Sequence, residues 1–193
     1  MSPWWGTLAY LAGVVAMAAV RAPHIRRSIR VGVAASHRSG GDRVLVGLVS
    51  LGFVLPLVWI ATPLLTFADH GLAPAAFAGG VAALLAGLWF LHHSHTDLGT
   101  NWSNTLEIRD QHRLVTTGIY RRVRHPMYLA LLLYGLGQAL VLPNWIAGPS
   151  FLVPFALLVA HRLRREEAML RATFGMEYER YRAETRRLIP GVW

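Results

Sequence analysis

The chain has 193 residues, 54% hydrophobic and only 15% charged, a balance too apolar for an ordinary soluble domain and one that points to a membrane. It contains no cysteine, which excludes disulfides, thiolate metal sites and a cysteine nucleophile. Its net charge of +9 rests on nineteen basic residues that are all arginine, so their placement decides between a nucleic-acid partner and a membrane surface.

Five apolar stretches follow in chain order: Trp4 to Val20, Val44 to Phe67, Pro74 to Leu91, Met127 to Leu142 and Ile146 to Ala160. A helix that crosses the hydrocarbon core needs about 20 apolar residues, and about 17 at the least. The second stretch meets this length easily. The last two fall near the lower limit, and with Pro143 and Asn144 between them they read as a tight antiparallel hairpin that just crosses the bilayer. Two buried core helices are the soluble alternative for this pair. The first stretch has no basic flank before it and no clear cleavage site, so it reads as a span rather than a leader.

Six arginines fall between Arg21 and Arg43, five between Arg109 and Arg124 and eight between Arg162 and Arg187, whereas the second and fourth connections carry none. With five spans this alternation puts the N-terminus outside and the first loop, third loop and C-terminus inside, in agreement with the positive-inside rule. The charge is then a topology signal of an integral plasma (inner) membrane protein with a cytoplasmic C-terminus. No interleaved aromatic and basic groove supports nucleic acid as a partner.

The connection from His92 to His125 is long enough to suggest a functional loop. Thr105 to Ile108 reads as a short extended piece, and a Thr116-Thr117-Gly118 turn precedes Ile119 and Tyr120. From His161 to Arg187 the recurrence of Leu170, Phe174, Tyr178 and Tyr181 three to four residues apart predicts a helix, bent or divided at Gly175.

Two polar clusters flank the expected hairpin. Arg121-Arg122-Val123-Arg124-His125-Pro126-Met127-Tyr128 runs into the fourth span, and Pro126 suits a first helical position because its missing N–H costs nothing there. Arg124 and His125 then lie at the membrane surface beside a positive helix end. The plainer reading is an interfacial anchor, with arginine on lipid phosphate and Tyr128 in the aromatic belt. At the other arm, His161-Arg162-Leu163-Arg164-Arg165-Glu166-Glu167 places Arg162 and Glu166 four apart on one helical face, where they either pair or serve a site. Antiparallel arms bring both clusters to one mouth.

Leu114-Val115-Thr116-Thr117-Gly118-Ile119-Tyr120, Arg124-His125-Pro126-Met127-Tyr128, Glu166-Glu167 with Leu170, Phe174-Gly175, Tyr178, Tyr181 and Ile189-Pro190, in this order, closely resemble the isoprenylcysteine carboxyl methyltransferase family and its phospholipid methyltransferase relatives. The resemblance covers about 85 residues from Thr105 onward. It implies an all-α integral membrane fold of about five transmembrane helices, with a cytoplasmic cofactor pocket formed by the loop between spans three and four and the C-terminal helix. Residues 1–193 are then one membrane domain, with three N-terminal spans in 1–91 and the catalytic half in 92–193.

The same resemblance implies S-adenosylmethionine as cofactor and methyl transfer to a lipophilic small molecule or lipid-anchored acceptor among the membrane lipids. Carried over by position, His112, Arg113, Leu114, Val115 and Tyr120 line the adenosyl pocket. His125, Pro126, Met127 and Tyr128 continue its wall, Glu166 holds the polar part of the cofactor, and Arg162 faces the acceptor. The pattern departs at Arg113, where the family often carries an acid; a backbone contact survives that change and a side-chain contact does not.

The expected chemistry needs no metal, since the methyl is displaced in line from a sulfonium cation and the protein has to position reactants and exclude water. A carboxylate acceptor suits Arg162, while an amine or thiol makes Glu166 a general-base candidate; the sequence leaves both open. His92, His93 and His95 invite a metal reading, but they lack the i,i+4 and Glu-x-x-His spacing of helical ligands. Trp102, Trp145 and Trp193 read as belt and packing aromatics. A nicotinamide-dependent membrane reductase of the sterol type and a non-catalytic membrane interaction protein are the other functional readings; no glycine-rich phosphate loop favours the first.

Overall fold

A computed structural model describes residues 1–30, 40–99 and 114–189. Five helices account for most of them: α1 (Pro3–Arg30), α2 (Gly40–Ala61), α3 (Pro74–Leu98), α4 (Pro126–Val141) and α5 (Leu152–Glu184). Short pieces of tighter helix lie at Pro63–Ala68 and Gly118–Arg121, and no strand occurs among the described residues. Pro3–Arg26, Gly40–Ala61 and Pro74–Leu98 are long and apolar enough to cross a membrane, and α4 is a shorter apolar helix.

Packing is tightest between α3 and α4, where glycines let the backbones touch. A Cβ on Gly87 would lie 2.8 Å from the Ala130 carbonyl oxygen and 2.9 Å from the Tyr134 nitrogen, and one on Gly137 would lie 2.9 Å from the Gly80 carbonyl oxygen. Such small-residue seams suit helices in lipid, where association depends on close van der Waals contact rather than on expelling water. Around the seam Tyr10, Leu84, Tyr134, Val141, Phe151 and Phe155 form the core, with Leu, Val and Trp side chains exposed on the outer surface.

Helix boundaries depart from the apolar stretches in three places. The second stretch breaks at Thr62, which is extended (φ −142°, ψ 158°) because Pro63 disfavours helical backbone before it. The helix after Pro74 runs beyond Leu91 to Leu98, so His92, His93 and His95 belong to α3 rather than to a loop. Two of its polar residues bond back along the helix: Ser94 Oγ donates to the Phe90 carbonyl at 2.6 Å and Thr96 Oγ1 to that of His92 at 2.9 Å. The last helix begins at Leu152 and not near Ile146, since Asn144 Oδ1 accepts the Ile146 and Ala147 amides at 3.0 and 2.8 Å and holds a non-helical turn.

That turn is buried, and Gln138 on α4 satisfies it. Its Nε2 reaches the carbonyls of Ala147 (3.0 Å), Gly148 (3.2 Å) and Gly52 (3.2 Å), a polar centre fully withdrawn from solvent. Asn144 Nδ2 also donates to the Leu65 carbonyl at 2.7 Å and to Asp69 at 2.8 Å, where Asp69 accepts Trp59 Nε1 at 2.6 Å. These contacts close one end of the bundle. The arginine-bearing segments meet at the opposite end, where His24 of α1 stacks on His95 of α3 at 4.6 Å and Asp42 of α2 faces Arg162 of α5.

Gly175 divides α5, with φ 51° and ψ −124°, a conformation that a Cβ disfavours. The bend lets the distal part of α5 return toward the start of α4. Beyond it the Arg186 carbonyl accepts the Arg124 amide at 2.8 Å and the Arg187 carbonyl accepts the His125 amide at 3.1 Å.

Candidate functional site

The arginine-bearing end gathers three segments around the start of α4. Gly118, at φ 63°, begins the turn Gly118–Arg121, and Asp97 at the end of α3 fixes that turn by accepting the Ile119 amide at 2.6 Å. The turn delivers Tyr120, Arg124 and His125. The Tyr120 carbonyl accepts the Tyr181 hydroxyl at 2.7 Å, and burial pushes both phenols above their ordinary range.

His125 precedes Pro126, the first residue of α4, and its side chain is 4% exposed. Nδ1 lies 3.9 Å from Glu166 Oε2 and Nε2 lies 3.5 Å from Glu167 Oε1. One turn on, the Tyr128 hydroxyl donates to Glu166 Oε2 at 2.7 Å, and the two rings stack at 5.7 Å. Glu166, with 27% of its side chain exposed, is the more accessible of the two carboxylates; Glu167 is 5% exposed. The hairpin therefore brings His125 and Tyr128 on one arm against Glu166 on the other.

Glu167 is the anchor of this arrangement. Arg124 donates to Oε1 through Nε at 3.2 Å and Nη2 at 3.1 Å, and Arg187 reaches Oε1 through Nε at 3.2 Å and Oε2 through Nη2 at 2.6 Å. Burial opposes the charge, but hydrogen bonds from His125, Arg187 and Arg124 outweigh it and hold the carboxyl well below its usual range. Arg124 Nη1 also donates to the carbonyls of Arg182 (3.1 Å) and Thr185. Tyr178 is fully buried, and burial pushes its phenol up to about 12.

Of the residues expected from sequence, His112 and Arg113 lie outside the described residues, as do Trp102, Trp193 and the segment from Thr105 to Ile108. Leu114 and Val115 are half-buried and lead into the turn that carries Tyr120. Pro126 is buried, while Met127 and Tyr128 pack against the core. The ion pair considered between Arg162 and Glu166 does not form. Instead Arg162 Nε lies 3.4 Å from Asp42 Oδ1, and the adjoining His161 Nε2 lies 3.6 Å from the same oxygen. Asp42, Asp97 and Arg187 went unnoticed in the sequence because their partners are distant along the chain.

His92, His93 and His95, whose spacing does not suit a metal site, make separate contacts. His93 Nδ1 lies 2.9 Å from the Trp89 carbonyl, His92 packs edge-on to His93, and His95 stacks on His24. Among the described residues no group of three or more His, Asp or Glu side chains is arranged to hold a metal ion.

Fold and site together define an all-α membrane protein whose charged residues converge at the arginine-bearing mouth of a helical hairpin. The model of the isoprenylcysteine carboxyl methyltransferase (ICMT) family matches residues 80–172 of this chain. A protein-S-isoprenylcysteine O-methyltransferase of Schizosaccharomyces pombe is 38% identical over 79 residues, 41% of this chain and 34% of that protein. The Homo sapiens enzyme of that name is 34% identical over 86 residues, 44% of this chain and 30% of its own length. A probable protein-S-isoprenylcysteine O-methyltransferase of Oryza sativa subsp. indica is 33% identical over 96 residues, so the matched stretch spans 49% of this chain and 50% of that relative. The solved structure of the eukaryotic intramembrane Ras methyltransferase of the family superposes with a TM-score of 0.52 at 21% identity, covering 96% of this chain and 63% of that one, which shows a shared fold.

Proposed function

We propose that this protein is an S-adenosylmethionine-dependent methyltransferase acting on a lipophilic acceptor at the cytoplasmic face of the plasma membrane, with the isoprenylcysteine carboxylate as the acceptor class. One observation carries the reading: His125 and Tyr128 at the head of α4 meet Glu166 on α5, so two stacked rings and a partly exposed carboxylate share one mouth. The donor set fits the cofactor, since aromatic faces suit a nucleoside and a sulfonium, and a carboxylate suits polar or cationic groups. The names of the relatives support the same activity.

In this reading Leu114, Val115, Tyr120, His125, Pro126, Met127 and Tyr128 form the cofactor wall, and His112 and Arg113 extend it as the family resemblance implies. Glu166 holds the polar part of the cofactor, and the Tyr128 hydroxyl fixes that carboxylate at 2.7 Å. Bound S-adenosylmethionine supplies a methyl group on a positively charged sulfur. Arg162 orients the acceptor carboxylate through a charged hydrogen bond, which requires no proton to be removed from the nucleophile. Apolar surroundings contributed by the core exclude water from the mouth. The catalytic half is 92–193, with 1–91 as three spans of the same membrane domain. The arginine-bearing end faces the cytoplasm, since its arginines follow the positive-inside rule.

The test is calorimetry of the detergent-solubilised protein with S-adenosylhomocysteine, S-adenosylmethionine and NADPH in parallel, followed by methyl transfer to an N-acylated S-prenylcysteine. Binding of the adenosyl compounds together with turnover supports the reading. Preference for NADPH moves it to a reductase, and silence with all three to a non-catalytic interaction protein.

A further inference from the structure

The family match begins at residue 80, yet among the described residues the carboxylate paired with the guanidinium of Arg162 comes from α2, well before it. Asp42 lies in the first turn of α2 and is 2% exposed. Its Oδ1 is 3.4 Å from Arg162 Nε and 3.6 Å from His161 Nε2, a link that crosses 120 residues of sequence and ties α2 to α5. Arg162 is 17% exposed at its side chain and stands one helical turn before Glu166.

A guanidinium is a planar fork, so a carboxylate held at Nε restricts both its rotation and the direction in which its terminal nitrogens point. The same carboxylate offsets part of the positive charge that an anionic acceptor meets. We propose that Asp42 is a positioning residue for the acceptor: it sets the plane of Arg162 and moderates its charge, so that a substrate carboxylate is oriented for attack rather than merely bound. The proposal deepens the reading given above and rests on Arg162 facing the acceptor. It makes α2, a helix outside the matched stretch, a determinant of which acceptors this chain takes.

The two effects of removing the charge have opposite signs, which separates positioning from simple scaffolding. In Asp42→Asn the neutral amide keeps the shape but frees Arg162 to rotate and strengthens its attraction for an anion. With an N-acylated S-prenylcysteine as acceptor, KM falls while kcat drops by about tenfold to a hundredfold, the scale of a misplaced reactant. Affinity for S-adenosylhomocysteine stays at the wild-type value, because Glu166 and Tyr128 are untouched. Asp42→Glu, which restores the charge, recovers part of kcat.

The experiment is a double-mutant cycle of Asp42→Asn with Arg162→Lys, read as kcat and KM, with calorimetry against S-adenosylhomocysteine on each variant. If Asp42 acts through Arg162, the Asp42→Asn change has little further effect on kcat once Arg162 is lysine. Additive losses overturn the proposal, as does an Asp42→Asn protein with unchanged kcat and KM. A fall in kcat with no fall in KM, or loss of S-adenosylhomocysteine binding in both Asp42→Asn and Asp42→Glu, assigns Asp42 a scaffold role and also overturns it. A wild-type protein that neither binds S-adenosylhomocysteine nor turns over defeats the underlying functional reading instead, so the two failures are distinguishable.

Discussion

The Tyr128 hydroxyl donates to Glu166 Oε2 at 2.7 Å across 38 residues of sequence, linking the first turn of α4 to the part of α5 that leaves the core. It fixes the more exposed of two adjacent carboxylates, while its neighbour Glu167 is held by arginines. Neighbours in sequence thus have separate duties.

Glu166→Ala lowers affinity for S-adenosylhomocysteine by about tenfold or more, the scale of a lost charge-assisted hydrogen bond, and Tyr128→Phe by a smaller factor. Arg162→Ala leaves that affinity in place but abolishes methyl transfer. Calorimetry and a turnover assay on the three variants check this; equal binding and equal activity in Glu166→Ala and Arg162→Ala remove both roles.

Glu167 is expected to matter for stability rather than for ligand. Glu167→Gln leaves Arg124 and Arg187 without their shared anion in a buried setting, a loss of about 3–5 kcal/mol for a broken buried pair. Thermal melting in detergent should show a large drop for Glu167→Gln and a small one for Glu166→Gln. Similar drops in both would contradict the assignment.

The same group sets an acid limit. Its folded-state carboxyl titrates well below an unfolded glutamate, near 4.3, so the unfolded chain binds the proton first as pH falls. The stabilisation is fully present above about pH 5 and is lost progressively below it, toward the folded-state value. Melting temperature measured from pH 7 down to pH 4 should fall more steeply in the wild type than in Glu167→Gln. Parallel curves would argue against the linkage.

Gly175 offers a backbone test. A Cβ there meets nothing within 4 Å, so Gly175→Ala probes conformational strain at φ 51° without a steric clash. The expected cost is about 1–3 kcal/mol, with looser docking of the distal part of α5. Hydrogen exchange at the Arg124 and His125 amides, which bond to the Arg186 and Arg187 carbonyls, should quicken; unchanged protection would show that the bend is not needed to hold them.

Local chemistry made much of this architecture readable in advance. Pro126 marked the start of α4, Gly175 the bend, and the hairpin brought His125 and Tyr128 near Glu166, because each depends on helix geometry and short spacing. The start of α5 is not legible in hydropathy, because Asn144 and Gln138 make a buried non-helical turn acceptable within the apolar stretch. The partner of Arg162 was hidden for another reason: helical spacing offers Glu166, but tertiary packing brings Asp42 from another helix. The pairing of Glu167 with Arg187 is not legible in the sequence either, since the return of the chain after Thr185 has no periodic signature.

The amide of Gln138 also bears on how the molecule reaches the bilayer. The partners of its Nε2 at Ala147 and Gly148 are only nine and ten residues away, so its donors are met within the hairpin before α2 brings the Gly52 carbonyl. The two arms of the hairpin can therefore partition as one unit, with the amide donors matched before the third helix of the contact arrives.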